Sequence, residues 1–294
     1  MSGILELLRV RQWVKNAFVF LPIIFSGNLF TIEYWYPAIV VFFSFSFVAS
    51  SIYCINDIKD VEADRRHPKK RLRPIASGRV GKTTAYVLTV CLLLCSSSLL
   101  LFLPPELIWK CVLIEGCYFV LNLLYCFLLK RYAIIDVSII AFGFVLRLVD
   151  GGIACGIWVS PWIVCMTFLI TLFIAFAKRR DDLLIDRSNG DRTPIRKSSE
   201  SYNLDYLNLI LGVLGAVTIV CYLMYCMAPD TIQRFQCGYV YITFVFVLIA
   251  ILRYLMLAVV RGESGSPTDI ALHDRFIQLC VLAWIVSFAL IIYT

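Results

Sequence analysis

Apolar runs long enough to cross a lipid bilayer recur along almost the whole chain, and they restrict its fold more than any other feature. A hydrocarbon core of about 30 Å takes about 20 apolar residues in a helix. No water reaches the backbone there, so each segment must be a helix or part of a closed barrel. Nine such runs are found, at 14–30, 35–55, 82–103, 108–129, 133–153, 160–177, 205–227, 237–258 and 274–293. Their length predicts an all-α, polytopic membrane bundle of about nine transmembrane helices. The hydrophobic share of 61%, with a mean hydropathy of +0.84, excludes a soluble enzyme, whose apolar usage is about 45–50%. The first run is the least regular. Lys15 and Asn16 stand at its start and Pro22 in its middle, which predicts a kinked or shallow segment. No small-residue cleavage site accompanies it, so no cleavable leader is expected.

Lysine and arginine orient the bundle. With the N-terminus in the cytosol, that side receives all of the 27 basic residues except Lys110, Arg147, Arg234 and Arg275. Nine spans then carry the C-terminus outside. The same bias accounts for the net charge of +7, so no nucleic-acid partner is called for. No linker divides the chain, and a single integral-membrane domain over 1–294 is expected. The twelve cysteines form no CxxC or Cys/His pattern. Those in apolar helices, such as Cys91, Cys95, Cys165, Cys221 and Cys280, read as small buried hydrophobes.

Two polar islands interrupt the apolar runs, both on the cytosolic side of this topology. The first is Asn56 to Gly78, NDIKDVEADRRHPKKRLRPIASG. Asn56, Asp60 and Asp64 follow at i, i+4 and i+8, one face of a helix if the second span runs on; Asp57 lies beside them. Oxygen ligands stacked so closely repel one another unless a cation sits among them, and Mg²⁺, completed by substrate phosphates, suits one or two carboxylates. Arg65, Arg66, Lys69, Lys70, Arg71, Arg73 and Arg79 come next. Acids for a metal beside bases for phosphate make a pyrophosphate site. The alternative is a solvated loop whose charges only pair.

The second island, AKRRDDLLIDRSNGDRTPIRKSSESYN, repeats the logic, with Lys178, Arg179 and Arg180 before Asp182 and Asp186, then Arg196, Lys197 and Ser198. One island follows the second span and the other the sixth, as two four-helix units with corresponding loops would place them. Within the spans, Arg147 and Asp150 are i, i+3 neighbours that could pair, three turns beyond Asp136. His67 and His273, the two histidines, sit in separate loops and form no metal site. Asp269, His273, Asp274 and Arg275 mark the approach to the last helix. At the first span, Trp13 is an interfacial anchor, or Lys15 and Asn16 reach a phosphate.

These blocks carry a resemblance. RQWVKN at 11–16, Tyr53 with NDIKDVEAD, HPKKRLRPIASG, the AKR and IRKSSESY stretches, and DIALHDRFIQLCVLAWI at 269–285 stand in an order that resembles the UbiA-type prenyltransferase superfamily. Within it, they are similar to the branch of phosphoribosyltransferases that act on decaprenyl phosphate. A single NDxxD is a weak signal; these blocks in order cover nearly the whole chain. The resemblance implies a UbiA-like fold with a cytosolic active site in the cell (inner) membrane. It implies Mg²⁺-dependent transfer of 5-phosphoribose from phosphoribosyl pyrophosphate to a polyprenyl phosphate, for cell-wall or glycan precursors. Asn56 and Asp60 would ligate the metal, with Asp57 and Asp64 completing the set of catalytic carboxylates. Lys15, Tyr53, Lys70, Arg73, Lys178, Arg179, Asp182 and Lys197 would hold the phosphates of donor and lipid. Asp181 and Asp182 stand where the family carries a single glutamate. Exposed helix faces leave room for a homo-oligomer. Two other functions compete: alkylation of an aromatic acceptor by a polyprenyl pyrophosphate, and transport of an anionic lipid.

Overall fold

The computed structural model describes residues 3–66, 70–189, 202–260, 270 and 273–293. All regular structure among them is helical. In chain order the α-helices are α1 (Gly3–Leu8), α2 (Leu21–Phe25), α3 (Ile32–Lys59), α4 (Val61–Arg66), α5 (Lys82–Leu100), α6 (Pro105–Phe127), α7 (Ile135–Ala154), α8 (Pro161–Asn189), α9 (Leu204–Met227), α10 (Pro229–Phe235), α11 (Phe244–Leu255) and α12 (Arg275–Tyr293). Among the described residues seven helical segments are long and apolar enough to cross a membrane, where nine were expected. They are α3, α5, α6, α7, α8 as far as Ile185, α9, and the stretch Val240–Val260 that contains α11. The last expected span is α12, whose apolar part, Arg275–Ile291, is shorter.

The first expected span differs in kind. Val10–Phe20 is a 3₁₀ helix of 11 residues, followed by the 5 residues of α2 with Pro22 in its first turn. At about 2.0 Å per residue for the 3₁₀ part and about 1.5 Å for the α part, laid end to end they extend about 30 Å. The tighter winding lets a short, polar-flanked segment reach as far as an α-helix of about 20 residues. Serines on α3 hold it in place. Trp13 donates its indole N–H to Ser50 Oγ at 3.0 Å, Asn16 donates to Ser46 Oγ at 2.8 Å, and Ser50 donates to the carbonyl of Leu8 at 2.8 Å. Hydroxyls between helices serve as polar contacts where the surroundings are apolar.

The chain forms two compact units, one of residues 1–128 and 143–159, the other of residues 129–142 and 160–294. In the first, α3 is the central element. It buries Phe45, Val48, Ala49 and Ile52 against Tyr118 and Cys126 of α6, and Cys54 and Ile58 near Ala85 and Leu92 of α5. In the second, Phe173 and Phe176 of α8 pack with Leu207, Leu211 and Leu214 of α9 and with Tyr254 and Leu257. Cys221 and Cys280 are buried, as expected, but Cys91, Cys95 and Cys165, read as buried, lie on outward faces, and so does Cys117. A thiol is apolar enough for a face that meets lipid as well as for a core.

Gly151 of α7 marks the closest approach in the first unit. A Cβ there would lie 2.0 Å from the carbonyl oxygen of Val19, a backbone atom that cannot swing aside. At Gly116 a Cβ meets nothing within 4 Å. Gly151→Ala is therefore expected to cost about 3 kcal/mol and lower Tm in detergent by about 6 °C or more, whereas Gly116→Ala changes it little. Equal melting temperatures for the two variants would contradict this packing.

Candidate active site

The last two turns of α3 bring Tyr53, Asn56 and Asp57 to the first island. The Asp60 N–H donates to the Asn56 carbonyl at 2.9 Å and the Asp64 N–H to the Asp60 carbonyl at 2.8 Å, so the i, i+4 pattern continues into α4. Asp60 itself, at φ −87° and ψ 5°, is a one-residue break. The ladder expected from the spacing is thus present in the backbone. Burial then divides the oxygens into two kinds. Asp57 and Asp64 are buried, whereas Asn56 and Asp60 are only half-buried.

Each buried carboxylate meets a guanidinium. Arg9 Nη2 lies 2.5 Å from Asp57 Oδ1; Arg73 Nη1 lies 2.7 Å from Asp64 Oδ2 and 3.3 Å from the same Asp57 oxygen. Arg73, expected on a substrate phosphate, therefore bridges two acids. Arg9 was not singled out from the sequence, where it reads as one more topological charge. Its guanidinium lies 4.8 Å from the centre of the Tyr53 ring and orients that side chain. Two other bases of the island also meet acids: Arg79 pairs with Glu6 at 2.7 Å and Arg65 with Glu62 at 3.3 Å, all exposed. The Glu6 carboxylate pushes the Arg79 pKa up. Lys70 opens a short 3₁₀ turn, Lys70–Leu72, and is half-buried, while Arg66 and Arg71 are exposed. His67, Pro68 and Lys69 lie outside the described residues.

Lys15 is exposed, but its neighbour Asn16 is buried and is a packing residue rather than a phosphate ligand. Asn16 Oδ1 accepts from Arg147 Nε at 2.6 Å. The expected Arg147–Asp150 pair does not form. Arg147 donates instead to the carbonyl of Gly143 at 2.6 Å and to Tyr118 Oη at 2.8 Å, and its guanidinium lies against the rings of Phe45, Tyr118 and Phe144. Neutral acceptors and aromatic faces stabilise the buried cation.

In the second unit, α8 continues past the apolar run to Asn189, so Lys178 to Asp182 lie on a helix rather than in a loop. Lys178 is exposed. Arg179 and Asp136 are each 1% exposed and pair at 2.9 Å. Asp182, half-buried, stands 3.4 Å from Arg179 Nη1, and Arg180 donates to Asn208 at 2.8 Å. Tyr202 donates to Asp136 at 3.3 Å and accepts from the Ile134 N–H at 2.5 Å. Burial pushes the Tyr202 hydroxyl up to about 12, so it remains a neutral donor at physiological pH. Arg179 Nη2 is buried without a hydrogen-bond partner, one cationic donor in excess of its acids. The Asp186 side chain, Arg196, Lys197, Ser198 and Asp269 lie outside the described residues. Before α12, Asp274 caps the Ile277 N–H at 2.9 Å and pairs with Arg253 at 2.8 Å; the Arg253 hydrogen bond holds its carboxyl below the usual carboxylate range.

The donor set fits one class of metal. Among the described residues no three histidine, cysteine or acidic side chains are grouped to enclose an ion. Asn56 and Asp60, both half-buried, bring one amide oxygen and one carboxylate to the island instead. That suits Mg²⁺, which takes one or two carboxylates and fills its octahedron with water and substrate phosphates. It does not suit zinc, which wants nitrogen and sulfur ligands in a closed set.

Comparison with known proteins identifies the family and the fold. The model of the UbiA prenyltransferase family matches residues 19–266. The decaprenyl-phosphate phosphoribosyltransferase of Mycolicibacterium smegmatis is 36% identical over 99% of this chain and 93% of its own length. The protein of the same name from Corynebacterium glutamicum is 34% identical over 99% of this chain and 87% of its own. A UbiA homologue from Archaeoglobus fulgidus, solved with GPP and Mg²⁺ bound, superposes with a TM-score of 0.68 at 17% identity, covering 99% of this chain and 97% of that one. The apo UbiA homologue from Aeropyrum pernix K1 gives 0.67 at 15% identity over 95% of this chain and 98% of that one. Matched over most of its length in sequence and in fold, this integral-membrane chain belongs to the UbiA prenyltransferase family.

Proposed function

We propose that the chain transfers 5-phosphoribose from phosphoribosyl pyrophosphate to the phosphate of a decaprenyl-like polyprenyl phosphate and releases pyrophosphate. The observation that carries this reading is the near full-length similarity, at 34–36% identity, to decaprenyl-phosphate phosphoribosyltransferases. The geometry of the first island supports it. Arg9 and Arg73 pair with Asp57 and Asp64, while Asn56, Asp60 and Lys70, all half-buried, belong to the same island. The charge bias supports a cytosolic N-terminus and active site in the inner membrane, and the whole of 1–294 acts as one transferase domain.

In this reading Asn56 and Asp60 hold Mg²⁺, which when bound supplies charge to a departing pyrophosphate. Lys70 binds the donor's phosphates as a point charge. Lys15, Tyr53, Lys178, Arg179, Asp182 and Lys197 are the further candidates for contact with the donor or with the lipid phosphate. Asp57 and Asp64 act through Arg73 and Arg9: they hold the loop of the first island closed on the end of α3. As C1 of the ribose loses its leaving group it gains positive charge, which the acids of the island would offset. The acceptor is already a phosphate anion, so no general base is needed. An aromatic prenyl transfer is the second reading, favoured by the fold shared with a UbiA homologue bound to GPP and Mg²⁺.

The deciding experiment offers labelled phosphoribosyl pyrophosphate with a short polyprenyl phosphate, and in parallel prenyl pyrophosphate with a hydroxybenzoate, to detergent-purified protein. Label in the lipid phase of the first reaction is expected; product from the second alone would transfer the chain to the aromatic prenyltransferases. Removal of divalent metal by excess chelator is expected to abolish turnover and added Mg²⁺ to restore it; turnover in the chelator would remove the metal from the scheme. Asp60→Ala should lower kcat/KM at least about 100-fold with Tm nearly unchanged, and near wild-type turnover would release Asp60 from its role. Arg73→Ala should act differently. It leaves two buried carboxylates short of a partner, and with Arg73 itself 27% exposed the loss is about 2 kcal/mol rather than the ~3–5 of a fully buried pair. Its melting temperature should fall; a variant that melts like wild type would contradict the bridge.

A further inference from the structure

The first unit buries a second pair of acids that the transfer reaction does not use. Glu115 lies in the middle of α6 and is 4% exposed; Asp150 lies in the last turns of α7 and is 0% exposed. Neither belongs to an ion pair among the described residues. Arg147, three residues before Asp150, is engaged with Asn16, Gly143 and Tyr118. The apolar side chains of Val41, Leu100, Leu103 and Ala154 surround this region.

Counting hydrogens locates the unmet demand. Ser44 Oγ and Ser96 Oγ each lie 2.8 Å from Glu115 Oε2, and 2.9 Å from one another. Each hydroxyl has one proton, and both are directed at Oε2. That oxygen is therefore an acceptor twice over. The other oxygen, Glu115 Oε1, and both oxygens of Asp150 are buried with no hydrogen-bond partner. Three orphaned carboxylate oxygens in a transmembrane bundle are untenable as two bare anions, because an unpaired buried charge is costly and intramembrane acids persist with partners or a function. The titratable group that faces Asp150 from α6 is the Cys111 thiol, at most a weak hydrogen-bond donor and no counter-charge; Cys155 in turn lies by Cys111.

We propose that Glu115 and Asp150 form a buried site for a monovalent cation, a proton or Na⁺, held between Glu115 Oε1 and the Asp150 carboxyl group. Tyr118 of α6 meets Arg147 of α7, and Cys111 of α6 clusters with Ala154 of α7, an antiparallel register that sets Glu115 opposite Asp150; Ser44 and Ser96 hold Glu115 by its other oxygen. No bond is made or broken beyond the gain of that cation, and no phosphate is involved. Mg²⁺ does not fit, since it keeps several waters or phosphates in its octahedron and this region is walled by apolar side chains.

The test is the thermal unfolding of the full chain in detergent, from about pH 6 to about pH 9, in NaCl and in choline chloride of equal ionic strength. Wild type is compared with Asp150→Asn and Glu115→Gln, which keep shape and supply neutral amides. In choline, wild-type Tm should fall by several degrees as pH rises, and the decline should be flattened in both variants. If Na⁺ restores wild-type Tm at the high pH but leaves the variants unmoved, the occupant there is Na⁺; if Na⁺ has no effect, it is the proton. A wild-type profile identical in slope to both variants, with no Na⁺ response, would overturn the site. Infrared spectra of wild type provide a check that needs no variant to fold: the carbonyl band of a protonated, water-inaccessible carboxyl group is expected. Its absence without a Na⁺ response would likewise overturn the proposal.

Discussion

The guanidinium of Arg73, shared between Asp57 and Asp64, is the interaction on which the candidate active site depends. Two carboxylates buried at the end of a membrane helix cannot be left as bare anions. Arg73 answers both, across 16 and 9 residues of chain, and Arg9 adds a second cation from 48 residues away. The loop of the first island is thereby drawn back onto α3. Asn56 and Asp60, one helical turn apart, are half-buried. Burial thus divides the acid ladder into two buried carboxylates held by arginine and two partly exposed oxygen donors.

Burial of charge is solved three ways in this chain. Arg179 and Asp136 neutralise one another, with Tyr202 completing the acid's hydrogen bonds. Arg147 has no carboxylate and is stabilised by a carbonyl, an amide oxygen, a phenol and three aromatic faces. Glu115 receives two serine hydroxyls, and the need left over is what points to a bound cation. Only the first is an ion pair in the ordinary sense.

The helices were legible because each apolar run meets the bilayer's length requirement, and the ends of α5, α7, α9 and α12 fall within a few residues of the expected limits. Two departures have physical causes. Val10–Phe20 winds as a 3₁₀ helix, which hydropathy does not distinguish from an α-helix, and α8 outlasts its apolar run because Leu183, Leu184 and Ile185 continue the helix beyond the charged turn. The islands were legible as polar stretches in an apolar chain. The partners within them were not. Arg9 with Asp57, Asn16 with Arg147 and Asp136 with Arg179 are separated by 48, 131 and 43 residues, and such pairings arise from packing, which no local spacing encodes. Glu115 passed unnoticed for a related reason: its serine partners sit on two other helices.

The division of the acid ladder is tested most directly by metal binding itself. Mn²⁺, a paramagnetic stand-in for Mg²⁺, is titrated into the detergent-purified protein with phosphoribosyl pyrophosphate present and followed by electron paramagnetic resonance. Asp60→Asn should weaken binding at least about tenfold with little change in Tm, whereas Asp57→Asn should lower Tm and weaken binding much less. The reverse pattern, with Asp57 essential to the metal and Asp60 dispensable, would contradict the assignment of Arg-bound acids to structure and partly exposed oxygens to the ion.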